Sequence, residues 1–165
     1  MKLGRRHESL IPLSREHHYG LMLCMRIHRG LPLHNQDEMW VREKAVQAAQ
    51  FFETEMAAHF KAEETALFPA MRSLTGTSVL LGELLAEHRK LEAIAARLDG
   101  AEIAKLVDVL GEFADLLEAH IRKEERELFP LYETQMSPEM AAEIGQEING
   151  IIGDAMQPAN PELLK

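Results

Sequence analysis

Two stretches of the chain, His59-Phe60-Lys61-Ala62-Glu63-Glu64-Thr65-Ala66-Leu67-Phe68-Pro69 and His120-Ile121-Arg122-Lys123-Glu124-Glu125-Arg126-Glu127-Leu128-Phe129-Pro130, follow one pattern: His, three residues, Glu-Glu, three residues, Leu-Phe-Pro. At ~3.6 residues per turn, a His and a carboxylate four apart lie about 40° apart round a helix, so each copy turns both groups to the same side. An imidazole beside a carboxylate is what a metal ion asks for.

Each copy closes a longer apolar stripe. Val41, Ala45, Ala48, Phe52, Met56, His59, Glu63 and Ala66 share one face of a helix expected from about Asp37 to Leu67, with Pro69 kinking or ending it near Phe68. Leu106, Val109, Leu110, Phe113, Leu116, Leu117, His120, Glu124, Leu128 and Leu131 do the same for a helix that starts after Asp99-Gly100. Ahead of each runs a helix with its own inward histidine. The first is expected from Ser14, as N-cap, to about Arg29, where Gly30-Leu31-Pro32 ends it; its inner side carries His17, Gly20, Leu21, Cys24, Ile27 and His28. The other is expected from Ser78 to Leu98, with His88 among Leu81, Leu84, Leu85, Leu91 and Ala95. Ser137-Pro138-Glu139 opens a fifth helix to about Ile152, and residues 154–165 read as a tail.

The fold expected is therefore all-α: an up-down-up-down four-helix bundle with a short fifth C-terminal helix and a pseudo-two-fold relating its halves. Residues 1–13 form an N-terminal segment, 14–134 the bundle, and 135–165 the C-terminal helix and tail. Composition agrees, since Ala, Leu, Met, Glu, Arg and Lys dominate over β-branched and aromatic residues. A net charge of −9 repels phosphate backbones and anionic lipid, which argues against nucleic-acid and membrane partners. Cys24 stands alone, so an internal disulfide, a CxxC pair and a cysteine zinc site are excluded and a reducing compartment fits. Met1 to Ile11 lacks an apolar run and no later stretch reaches the ~18 residues of a membrane span, so a soluble, cytoplasmic protein is expected.

Stacked at one level, the four helices supply imidazoles from His17 or His18, His59, His88 and His120, with the carboxylates of Glu63 and Glu124. Six ligands exceed the four of a closed zinc site, whereas imidazoles with bridging carboxylates suit two iron ions, with manganese or zinc as alternatives. Two histidines would terminate each metal, and an oxo or hydroxo bridge would complete the charge balance. A position is left for dioxygen, nitric oxide or peroxide. A single inward histidine is ordinarily a hydrogen-bonded core residue, but two carboxylates placed inside apolar stripes require a compensating cation.

His17 and His18 differ by about 100° in direction, so only one can reach the centre. The wet side marked by Arg15, Arg26 and Arg29 favours His17, while His18 has Leu21 three residues on, as His88 has Leu91. His28 lies three turns further along, at another level. Glu64 and Glu125 point about 140° away from their histidines and read as solvated or orienting groups. Leu67, Phe68, Leu128 and Phe129 read as core, and Met22, Met25, Met56 and Met71 as packing.

The two duplicated stretches, with Glu87-His88 and Arg15-Glu16-His17-His18, resemble the hemerythrin family in its HHE cation-binding form, over roughly Leu13 to Leu131. The resemblance implies a four-helix bundle around a non-haem di-iron centre, in members that carry or sense oxygen, handle iron or nitric oxide, or repair iron-sulfur centres. The chain departs from the oxygen carriers at Glu92, where those have a second histidine, and in placing Glu124 four and Glu125 five residues after His120. Glu92 lies about 40° from His88, as either a third carboxylate ligand or a boundary residue in a surface ion pair. The expected function is binding of iron and a small ligand for sensing, iron handling or stress response, rather than dedicated turnover. The alternatives are a di-iron redox enzyme or iron-sulfur-centre repair protein, and a partner-binding bundle with a structural metal. The fifth helix leaves a homodimer open.

Overall fold

In a computed structural model the described residues are 6–100 and 102–155, and these are all-helical. A single 3-10 turn, Glu8–Leu10, leads into α1 (Ile11–His34). The second rod consists of α2 (Glu38–Phe51), a π-helical turn Phe52–Met56, α3 (Ala57–Ala62), a second π turn Glu63–Leu67 and α4 (Phe68–Met71). Then come α5 (Ser78–Ala95), α6 (Ile103–Lys123), the π turn Glu124–Leu128, α7 (Phe129–Gln135) and α8 (Pro138–Ala155). Residues 156–165 of the expected tail lie outside the described residues, while Asp154 and Ala155 continue α8.

Three helix boundaries differ from the sequence expectation, each for a local reason. Ser14 does not cap α1, which begins at Ile11 with Pro12 in its first turn; the Ser14 hydroxyl instead donates to Glu125 at 2.6 Å. Gly30-Leu31-Pro32 does not end α1. A Cβ on Gly30 would stand 2.0 Å from Cζ2 of Trp40, so the glycine is there to let the indole lie against the helix. Pro32 lies inside α1, in its last turn, and leaves the helix one N–H short there without ending it.

Pro69 likewise fails to stop its rod, because it follows a π turn, as Pro130 does in the last rod. The Phe68 N–H reaches back five residues to the Glu63 carbonyl, and the Phe129 N–H to that of Glu124. The widened turn carries the helix past the proline. Two of the turns require glycine: Gly76 has φ +83° and Gly100 φ +71°. Thr77 closes the first of these turns by donating to the carbonyls of Met71 (2.7 Å) and Leu74 (3.0 Å).

α6 packs against α1, α2 and α5, and the buried stripe from Leu106 through Val109, Leu110, Phe113 and Leu117 is its contribution to the core. Apolar burial falls into two clusters. One gathers Cys24, Ile27, Val41, Phe51, Phe60, Leu91, Phe113 and Ile121; the other gathers Leu10, Leu13, Leu67, Phe68, Leu84, Leu128, Phe129 and Tyr132. Along the chain, His88 falls between Leu84 of the second cluster and Leu91 of the first, and Glu124 between Ile121 of the first and Leu128 of the second. α8 joins the second cluster through Ala141, Ile144, Ile148 and Ile152, lying over α3, the Glu63–Leu67 turn and the 3-10 turn. Gly145 makes the last contact close: a Cβ there would stand 2.9 Å from the Ser9 Cβ.

Candidate metal centre

Three buried histidines and two buried glutamates carry no surface exposure at all, and His17 is 1% exposed. The six form two groups, His17, His59, Glu63 and Glu124, and His88, His120, Glu63 and Glu124, and in each the potential ligand atoms lie within 4.8 Å of one another. Both carboxylates belong to both groups. Glu63 lies with Oε1 3.1 Å from His59 Nε2 and Oε2 3.2 Å from His88 Nε2. Glu124 mirrors it, with Oε1 3.5 Å from His120 Nε2 and Oε2 3.1 Å from His17 Nε2. Each carboxylate therefore spans the two groups with one oxygen apiece.

The outer nitrogen of every imidazole meets a further carboxylate. His17 Nδ1 is 2.8 Å from Glu125, His59 Nδ1 2.8 Å from Glu16, His88 Nδ1 2.8 Å from Glu64 and His120 Nδ1 2.9 Å from Glu87. A carboxylate accepts, so each Nδ1 carries a proton and each ring turns its Nε2 inward. His17 and His59 then face each other Nε2 to Nε2 at 3.0 Å, an arrangement that needs a positive charge between or beside them. Both oxygens of Glu63, both of Glu124, and Nε2 of His88 and His120 are buried with no hydrogen-bond partner among the described residues. Buried polar atoms are rarely left so, and six converging on one place mark a cation site.

Protons show the same preference. Burial works against charge on His59, but the Glu63 charge and the Glu16 hydrogen bond outweigh it and hold that imidazole well above its ordinary value. His88 is raised against burial by Glu63, Glu124 and Glu64. Burial would lift the Glu63 carboxyl, yet His59 and His88 bring it well below the carboxylate range.

The outer carboxylates have their own supports. Burial opposes ionisation of Glu87, but His120 and Lys123 bring it to about 2; for Glu125 the Ser14 and His17 hydrogen bonds and the Arg6 charge do the same, again to about 2. Glu64 pairs with Arg89. Rings complete the cage: Phe129 lies near parallel to His17 with centroids 5.4 Å apart, Phe68 stacks on His88 at 5.5 Å, and Phe60 stacks on His88 at 3.7 Å.

Of the residues singled out in the sequence, His17, His59, Glu63, His88, His120 and Glu124 are brought together, and His18 and Glu92 stand outside both groups. His18 is exposed beside Tyr19. Glu92 accepts both its hydrogen bonds from Arg89, at 2.8 and 2.9 Å. His28 sits at the surface against Asp115 and Glu118. Glu64 and Glu125 orient histidines, as their direction suggested. Glu16 and Glu87 went unread as orienting groups, although each directly precedes an inward histidine, and that Glu-His dipeptide was the available signal.

An all-helical protein with a buried cluster of imidazoles and shared carboxylates has the donor set of a metal-binding protein. The chain matches the hemerythrin HHE cation binding domain over residues 12–132, with a second, overlapping match over residues 79–148, and it belongs to that family. No curated protein and no solved structure matches it. No described helix is long and apolar enough to cross a membrane.

Proposed function

We propose that this protein holds two iron ions, one on His17 and His59 and one on His88 and His120, with Glu63 and Glu124 shared between them. The reading is carried by the unpartnered oxygens of Glu63 and Glu124, which face both groups and have no other use in the fold. Six donors favour a pair of iron or manganese ions over a single zinc. The centre would lie inside an up-down-up-down four-helix bundle spanning residues 14–134, with α8 as an addition against its lower end, in a cytoplasmic protein as the lone Cys24 suits.

When bound, such ions supply reversible affinity for, or redox chemistry toward, dioxygen, nitric oxide or peroxide. The chain's own part is to fix the four imidazoles through Glu16, Glu64, Glu87 and Glu125, to keep their Nε2 atoms unprotonated toward the metals, and to exclude water with Phe60, Phe68 and Phe129. We read the role as ligand binding for sensing, iron handling or stress response. Glu92, whose coordination would favour a redox enzyme, is engaged with Arg89, which supports binding over turnover.

Metal content measured after anaerobic purification tests this. Two ions per chain are expected, and none in the His59→Ala, His120→Ala double variant; fewer than about one ion, unchanged in that variant, refutes the reading. Mixing reduced, iron-loaded protein with oxygen then separates the roles. A reversible charge-transfer band supports binding, and irreversible bleaching with peroxide consumption supports the enzyme.

A further inference from the structure

The two halves of the centre are supported unequally. The repeat sets His17 against His88, Glu125 against Glu64 and Phe129 against Phe68, and it sets His18 against Arg89. In the second half Arg89, next to His88 on α5, pairs with Glu64, the carboxylate that holds His88 Nδ1. In the first half that position is His18, which is exposed and bonds nothing at Glu125. The cation comes instead from outside the repeat and outside the segment matched to the family. Arg6 pairs with the Glu125 carboxylate, donates to the Glu125 carbonyl at 3.4 Å, and bridges to Glu133 at 3.0 Å. Its guanidinium also lies over the Phe129 ring, 4.9 Å from the centroid, and that ring is the one stacked on His17.

We propose that Arg6 is a positioning residue of the metal centre, fixing His17 through Glu125 and Phe129 at once. This rests on the two-metal reading above. The backbone behind Arg6 is built for the task. The His7 N–H donates to Glu133 at 2.9 Å, the Ser9 hydroxyl bonds the Tyr132 hydroxyl at 2.9 Å, Leu10 is fully buried, and Gly145 of α8 closes over Ser9. The N-terminal segment thus grips the same helical stretch, Phe129 to Glu133, that follows Glu124 and Glu125. A guanidinium can lie flat on an aromatic ring while bonding a carboxylate in its plane, which an ammonium does less well.

The test uses full-length apoprotein titrated with Co(II) and followed by absorption, with wild type, Arg6→Gln, Arg6→Lys and the Arg6→Gln, His18→Arg double variant. Wild type takes up two ions. Arg6→Gln is expected to weaken one of them roughly tenfold, the low end for losing a group that orients a metal-bound histidine, and to leave the other unchanged. Arg6→Lys recovers part of the loss, and His18→Arg, which places the guanidinium where the other half carries Arg89, recovers more. A general folding defect would weaken both ions together and would not be rescued from position 18. Equal loss at both ions, no loss at either, or rescue by neither variant overturns the assignment to Arg6. A wild-type chain that takes up fewer than two ions refutes the two-metal reading itself.

Discussion

Replacing Glu63 by glutamine should weaken the centre both with and without metal. The side chain spans both groups, with one oxygen 3.1 Å from His59 Nε2 and the other 3.2 Å from His88 Nε2. In loaded protein the amide removes a charge from both metal positions; taking one partner from a buried charge pair costs about 3–5 kcal/mol, or roughly two to four decades in affinity. In apoprotein the buried carboxylate is held ionised by His59 and His88, so the neutral amide gives up that pairing. His59 and His88 in turn lose the charge that raises them. Glu63→Gln apoprotein should therefore melt below the wild-type temperature at neutral pH, and the difference should shrink as the pH falls into the range where carboxylates take up protons. Metal at about a hundred times Kd stabilises wild type by ~2.7 kcal/mol, which for a domain of this size raises Tm by roughly 5–11 °C. The variant should show neither that rise nor two ions. His59→Ala, which touches one group, should keep one ion. Differential scanning calorimetry and metal analysis on the same samples check all three. A Glu63→Gln protein that retains two ions and the wild-type thermal shift would refute the shared-carboxylate reasoning.

Metal affinity should climb with pH. His59 and His88 are raised above 6.5, so in apoprotein they still carry protons at that pH, and a metal must displace them. Affinity should rise through pH 6.5 and beyond, with proton release on binding; a flat profile in titration calorimetry across two buffers counts against this. The Cys24 thiol, pushed up to about 12 chiefly by burial and then by Glu118, should resist maleimide in the native state and react once denatured. Gly30→Ala should lower Tm, because the new Cβ would meet Trp40 Cζ2 at 2.0 Å; overpacking of this kind costs about 1–3 kcal/mol, and an unchanged Tm would show that the indole moves aside freely.

The inner faces of the helices were legible because the 3.6-residue period is enforced by burial: His17, His59, His88, His120, Glu63 and Glu124 are all buried, and of the stripe histidines His28 alone stays at the surface. The family followed from the same residues. What could not be read was anything set by contact between helices. His17 and His18 differ only in direction, and three arginines chose between them through their exposure, but no sequence rule said that Glu16 would reach His59 on another helix or that Glu87 would reach His120. Arg6 was unreadable for the same reason, since its partners lie more than a hundred residues away in sequence. Helix ends failed on local grounds. Glycine and proline ordinarily end helices, but Gly30 answers to Trp40 and Pro69 follows a π turn that makes room for it.

The π turns before Pro69 and Pro130 give the Leu-Phe-Pro ending of the duplicated stretch a reason to accompany its His and Glu-Glu. In a regular α-helix, Phe68 would fall about 140° from Glu63 and be carried away from the centre. With about one extra residue in the turn, Leu67 and Phe68 fall to either side of the Glu63 direction, and both are buried. Phe68 thereby reaches His88, and Phe129 reaches His17, each on a helix of the other half. The Glu-Glu pair crosses in the same sense, its second member holding the histidine that the following phenylalanine covers: Glu64 and Phe68 on His88, Glu125 and Phe129 on His17. Each stretch thus carries two ligands of its own together with the hydrogen-bond acceptor and the aromatic cover for a third ligand across the molecule. Neither half can orient its first histidine alone, so the repeat is read most simply as half of a centre that becomes complete only when the two halves pack.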